Sequence, residues 1–146
     1  MEPRLDVITL AVADLELALA FYRRLGLESK GIVATEWVDE TTGANGAIAM
    51  FKLESGLLLN LYPRDDLAKD AAIPVGPPQS GEFSLAQLVP SRNQVDELLQ
   101  KAAAAGGTVT PAHDRPWGIY SGYFRDLDGH LWEIIWKPQE GGQSRR

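Results

Sequence analysis

Cysteine is absent from this 146-residue chain and histidine occurs only twice. The missing thiols exclude disulfides, thiolate metal sites and a cysteine nucleophile, and they fit a reducing compartment. No apolar run approaches the ~18 residues a membrane helix requires. The opening Met1-Glu2-Pro3-Arg4-Leu5-Asp6 lacks the basic-then-apolar order of a signal peptide, so a cytoplasmic protein with no membrane partner is expected. Lysine and arginine number 14 against 20 aspartates and glutamates, for a net charge of −6. The basic residues are dispersed, whereas phosphate binding needs them clustered, so nucleic acid is excluded as a partner. Nucleophile elbows, glycine-rich phosphate loops and a supported Ser-His-Asp order are missing as well.

What is present is one pattern written twice. Val7 to Ala13 and Ser84 to Pro90 each read as a short strand ending at a helix N-cap residue, Asp14 and Ser91. Leu15, Ala18, Leu19, Tyr22 and Leu25 then follow the 3.6-residue period, as do Val95, Leu98, Leu99 and Ala102. Ser91 with Gln94 forms a capping box, and Gly26 and Gly106 suit the left-handed turns that end helices. The last strand of each half is Gly56 to Pro63 and Gly129 to Trp136. Strands are also expected over Gly31 to Val38, Ala47 to Leu53, Thr108 to Pro111 and Ser121 to Phe124, set apart by turn-rich runs. The fold class is α+β: two βαβββ modules in a single domain spanning 1–146. Module 5–63 and module 82–138 are joined by a linker, 64–81, within a proline-rich stretch from Pro63 to Glu82 that reads as loop. The polar tail Gly141 to Arg146 reads as frayed. A module of about 70 residues is marginal alone, so each is expected to need its twin.

Thr9-Leu10-Ala11-Val12-Ala13-Asp14-Leu15, Ala20 to Gly26 and Tyr120 to Glu133 together resemble the vicinal oxygen chelate superfamily of glyoxalases, bleomycin-resistance proteins and dioxygenases. The resemblance runs from about Leu5 to Pro138 and is most specific in the hairpin Phe124-Arg125-Asp126-Leu127-Asp128-Gly129-His130-Leu131-Trp132-Glu133. It implies that each module curls into a half-cup and that two half-cups enclose a site. It also implies metal-ligand slots at Val7 and Ser84 on the first strands and at Asn60 and Glu133 on the last. A divalent ion needs three or four strong donors, and here only Glu133 is one. We therefore expect no metal and no cofactor. His130 reads as a turn residue, and His113 lies in a loop.

Strand alternation assigns the lining of such a cup. If Glu133 faces inward, so do Leu131 and Ile135, while Trp132, Ile134 and Trp136 face the helix layer. By the same parity Val7, Thr9, Ala11, Leu58, Asn60, Tyr62, Ser84, Ala86 and Leu88 face inward. Trp37, Phe51, Trp117, Tyr120 and Tyr123 are aromatics left over from the helix layer, able to stack on a planar ligand or a cation. The candidate ligand-binding set is Val7, Thr9, Asn60, Tyr62, Ser84, Trp117, Tyr120, Tyr123 and Glu133. The leading expectation is a metal-free, bleomycin-resistance-like protein sequestering a small amphipathic or cationic aromatic molecule, as a homodimer. The alternative is a lyase, isomerase or dioxygenase-like enzyme using Glu133 as catalytic base, with or without a metal.

Overall fold

The computed structural model of the protein describes residues 1–139; the tail expected to fray lies outside them. The chain forms two compact units, Met1–Gln79 with Leu127–Gly129, and Ser80–Asp126 with the segment from His130 onward.

The first unit follows the order β1 (Val7–Val12), α1 (Leu15–Arg24), β2 (Ile32–Val33), β3 (Ile48–Lys52), β4 (Leu58–Pro63), α2 (Arg64–Ala71). Its sheet has the order β1-β4-β3-β2, with β1 parallel to β4 and the other pairs antiparallel. Alternation decides which face is covered. Leu10, Val12, Ala49, Phe51, Leu59 and Leu61 are at most 2% exposed, and α1 contributes buried Ala18, Leu19, Phe21 and Tyr22 to the same core. The Asp14 carboxylate accepts from the Leu17 N–H at 2.9 Å, which starts α1 where the N-cap residue predicts. Gly26, at φ 110°, ends it.

The Pro63–Glu82 stretch is not all loop. Residues 64–71 form α2, with Asp65 and Asp66 in its first turn and Lys69 in its last, charges that complement the helix dipole. Buried Asp66 accepts from the Asn45 N–H at 2.9 Å and so ties the 39–46 loop to the helix. The expected strand Gly31–Val38 shrinks to two residues, Ile32–Val33, plus an isolated bridge between Val38 and Asn45. Ala34, at φ 60°, turns the chain away from the sheet after Val33.

The second unit repeats the scheme: β5 (Leu85–Leu88), α3 (Arg92–Ala104), β6 (Thr108–Val109), β7 (His113–Asp114), a 3₁₀ turn (Pro116–Gly118), β8 (Tyr120–Arg125) and β9 (Leu131–Trp136). The sheet order is β5-β9-β8-β6, with β7 also paired to β8. Ser91 caps α3 by accepting from the Gln94 N–H at 3.2 Å, while Gln94 Oε1 accepts a hydrogen bond from the Ser91 hydroxyl at 3.0 Å. The strand expected at Thr108–Pro111 breaks into β6 and β7 because Pro111 has no N–H to give the ladder. Thr110 repairs the gap: its N–H donates to Tyr123 O at 2.9 Å and its Oγ1 accepts from the Tyr123 N–H at 3.1 Å.

Val95, Leu99 and Ala102 of α3 are buried with Phe124 and Ile134. A Cβ on Gly122 would lie 2.8 Å from Leu99 Cδ1 and 3.0 Å from Ala112 Cα, so glycine is what allows α3 to sit this close to β8. Tyr120, Gly122 and Phe124 therefore face α3, opposite Trp136, Ile134 and Trp132 on β9.

Candidate ligand-binding site

Parity then places Ser121, Tyr123 and Arg125 of β8 on the side away from α3, opposite Ile135, Glu133 and Leu131. Ala86 and Leu88 of β5 join them, paired with Glu133 and Ile135. His113 pairs with Ser121 and lies on that side too. Ser84 is exposed and immediately precedes β5.

Glu133 is the centre of this face. Its Oε2 accepts from Ser121 Oγ at 2.9 Å, and Ser121 is fully buried. The Tyr123 phenol is held above its ordinary value of 10.0, first by burial and then by the Glu133 charge and a hydrogen bond to Glu133; Arg115 works in the opposite direction. The Arg115 guanidinium lies 5.8 Å from the Tyr123 ring centroid and its Nη2 donates to Ser121 O at 3.4 Å. Its Nε is buried without a hydrogen-bond partner. One carboxylate, one phenol, one hydroxyl and one guanidinium thus converge, with one donor unused.

Ser121 and Arg115 were missed in the sequence reading. Their signal was alternation: Ser121 shares Tyr123's parity, and Arg115, directly after the two-residue β7, keeps the parity of His113. Trp117 occupies the next turn, 89% exposed and in the left-handed region at φ 66°, between Pro116 and Gly118. Such a conformation costs of order 1 kcal/mol or more in a bulky residue.

Two aromatics expected to be free of the helix layers are not. Tyr120 faces α3: its hydroxyl donates to Asp96 Oδ1 at 2.6 Å and the Arg92 guanidinium lies 4.3 Å from its ring centroid. Phe51 is fully buried, 5.9 Å from the Tyr22 ring. Even-numbered Tyr120 and odd-numbered Phe51 fall on the helix sides of their own sheets, whose parity is fixed by Gly122 and Leu59.

In the first unit the register pairs Val7 with Leu58, Thr9 with Asn60 and Ala11 with Tyr62, all on the side of the sheet away from α1. Val7 is 44% exposed, whereas Asn60 is only 9% exposed and its Oδ1 has no hydrogen-bond partner. The Tyr62 hydroxyl is engaged by Asn45 O, and its ionisation is pushed up by burial and then by Asp66, Asp70 and Asp39.

The four slots do not fit a divalent metal. Val7 offers no donor, Ser84 and Asn60 offer neutral oxygens, and Glu133 is already bonded by Ser121. Among the described residues no three or more His, Asp or Glu side chains gather in a way that could hold one.

Two βαβββ units, each with a parallel first-to-last strand pair and a polar point on the face away from its helix, define the glyoxalase-like class of α+β proteins. The sequence model of the Glyoxalase/Bleomycin resistance protein/Dioxygenase superfamily matches residues 4–134, and the chain belongs to that superfamily. It is similar to a glyoxalase-related enzyme from Fulvimarina pelagi, with 28% identity, TM-score 0.76, and coverage of 98% of this chain and 96% of that one. The genomically encoded fosfomycin resistance protein FosX from Listeria monocytogenes is 25% identical, with TM-score 0.67 and coverage of 96% and 98%. Lactoylglutathione lyase from Agrobacterium tumefaciens is 26% identical, with TM-score 0.61 and coverage of 92% and 94%. No curated protein matches the chain at a significant level.

Proposed function

We propose that the protein binds a small amphipathic or cationic aromatic molecule without a metal, and that Glu133 is the polar anchor of that binding. The observation that carries this reading is the Ser121–Glu133–Tyr123 cluster. A carboxylate on a sheet face is held by two hydroxyl groups of its own unit instead of joining a metal-ligand set. Each carboxylate oxygen has two lone pairs, so beyond the bonds from Ser121 and Tyr123 an ammonium, amidinium or hydroxyl donor on the ligand has a charge-assisted partner. The Arg115 guanidinium beside the Tyr123 ring favours a ligand that also carries an acceptor. Tyr123 and the exposed Trp117 offer ring faces for stacking, and Ser84 offers a neutral polar contact. We take the protein to work as a homodimer, the exposed apolar Val7 of the first unit and Leu88 of the second each being suited to cover by a second copy.

The test is a tryptophan-fluorescence titration with cationic aromatic antibiotics on the wild type and Glu133→Gln. Replacing a charge-assisted hydrogen bond by a neutral one lowers affinity by about tenfold. Equal affinity in the two proteins removes Glu133 from the site.

A second reading has its own support, since two of the similar structures are described as enzymes, one glyoxalase-related and one a lactoylglutathione lyase. In it Glu133 acts as general base and Ser121 keeps the carboxylate in position. Stoichiometric binding with no turnover argues for the first reading; turnover abolished by Glu133→Gln argues for the second.

A further inference from the structure

On the side of the second sheet that carries α3, opposite the face of Glu133, a cavity of about 250 Å³ opens between the helix and the 109–112 segment. We propose that this cavity is a binding site for a small primary amine with a single apolar ring, held as its ammonium by the Asp96 carboxylate. Its side of the sheet is fixed by register: Val109 pairs with Phe124, which faces α3, and Leu99 lies against Gly122. Its volume is just under that of pockets for drug-sized ligands, so it suits a body of about one ring.

The cavity exists because one face of α3 runs out of side chain. Asp96, Leu99, Gln100 and Ala103 follow one another at spacings of three and four and so share that face. Ala103, its last member, carries only a methyl. With so little on this wall, Val109 is left 42% exposed, whereas its partner Phe124 is 2% exposed. Covering such apolar area with a ring is favourable at about 25 cal/mol per Å².

Asp96 sets the sign of the ligand. Among the described residues it is the one charged side chain of the lining. Its Oδ1 accepts from the Tyr120 hydroxyl at 2.6 Å, which fixes the carboxylate, and among the described residues its Oδ2 has no partner. Arg92, one turn earlier on α3, is committed elsewhere: it pairs with Asp114 at 2.8 Å and lies 4.3 Å and 5.6 Å from the ring centroids of Tyr120 and Trp136. An ammonium thus meets a positioned anion at the edge of an apolar wall, where a carboxylate would be repelled.

The wall facing α3 is set before a ligand arrives. Pro111 has a fixed φ, and Thr110 is bonded to Tyr123 through both its N–H and its Oγ1, at 2.9 Å and 3.1 Å. Ala112 is packed on Gly122, where a Cβ would approach its Cα within 3.0 Å. Little ordering remains to be done on binding.

The experiment is backbone amide chemical-shift mapping of the full chain titrated with benzylamine, benzyl alcohol and benzoate, three one-ring probes that differ in charge. Benzylamine is expected to move Asp96, Gln100, Ala103 and Ala112, and to bind about tenfold more tightly than benzyl alcohol, with benzoate weaker still. Asp96→Asn keeps an oxygen for the Tyr120 hydroxyl and should erase that preference. Ala103→Leu, at an exposed helix position, should fill the cavity and abolish the shifts with no loss of thermal stability. Glu133→Gln should leave the shifts at these four residues unchanged, which separates this site from the Glu133 site. Equal binding of the three probes, benzylamine shifts confined to the Glu133 face, or shifts that survive Ala103→Leu would overturn the proposal. So would movement of the same amides with protein concentration alone, which would put a second copy of the chain in the cavity.

Discussion

Removing the Asp128 carboxylate should destabilise the protein severely, although Asp128-Gly129 reads in sequence as no more than a turn. Asp128 is 7% exposed. Its Oδ1 accepts from the Ala13 N–H at 2.8 Å and from Arg64 Nη2 at 3.2 Å, and the same Arg64 nitrogen also donates to Ala11 O at 3.2 Å. Asp128→Ala leaves a part-buried amide without its acceptor, at about 1–3 kcal/mol. It also leaves a guanidinium whose side chain is 16% exposed without its counter-charge. Breaking a buried pair from one side costs roughly 3–5 kcal/mol; Arg64 retains Ala11 O, so we expect about 3 kcal/mol in all. At about 3 °C per kcal/mol for a chain of this size, Tm should fall by roughly 10 °C. Asp128→Asn keeps an oxygen for the Ala13 N–H and loses only the charge, so about half the effect is expected. Urea unfolding of Asp128→Ala, Arg64→Ala and the double variant should give a coupling energy of about 1–2 kcal/mol. A cost for Asp128→Ala below about 0.5 kcal/mol, the level of an ordinary surface change, would refute the reasoning.

Other perturbations follow from the same geometry. Gly122→Ala places a methyl 2.8 Å from Leu99 Cδ1 and 3.0 Å from Ala112 Cα, so calorimetry should show a loss of about 1–3 kcal/mol; a neutral result would mean α3 moves freely. Because the Tyr123 pKa is raised, the fold favours the protonated phenol: this contribution is complete below the unfolded value near 10 and is lost as pH rises through the higher folded value. Tyrosinate absorbance should therefore show Tyr123 ionising late, and Glu133→Gln should bring its midpoint down; an unmoved midpoint would remove the Glu133 contact. Trp117→Phe should lower iodide-quenchable emission without abolishing it, since Trp117 at 89% and Trp37 at 66% are both exposed; unchanged quenching would mean Trp117 is covered.

Much of the frame was legible because period and parity are set by the backbone. The two helices carry apolar residues at 3.6-residue spacing and oxygen-bearing N-caps, and both features recur in the structure at Asp14 and Ser91. Alternation placed Val7, Thr9, Asn60 and Tyr62 together on one face and Ala86 and Glu133 on another, as the registers show. The α2 helix escaped because Arg64 to Ala71 offers Leu67 and Ala68 in place of an apolar stripe and follows a proline; its stability comes instead from buried Asp66 and Ala68. Tyr120 and Phe51 fall on the helix sides through the parity of their strands, which a tally of aromatics left over from the helices does not follow. Asp128 and Arg64 are far apart in sequence, and no local pattern pairs them. Arg115 was hidden by Pro111, which breaks the strand whose alternation would have exposed it.

Ligand binding without a metal is tested by elemental analysis of protein purified without chelators, paired with native mass spectrometry. Far less than one divalent metal per chain is expected, with ligand affinity unchanged after dialysis against a chelator. About one tightly held metal per chain would contradict it, because Val7, Asn60, Ser84 and Glu133 do not make up the three or four strong donors such a site requires.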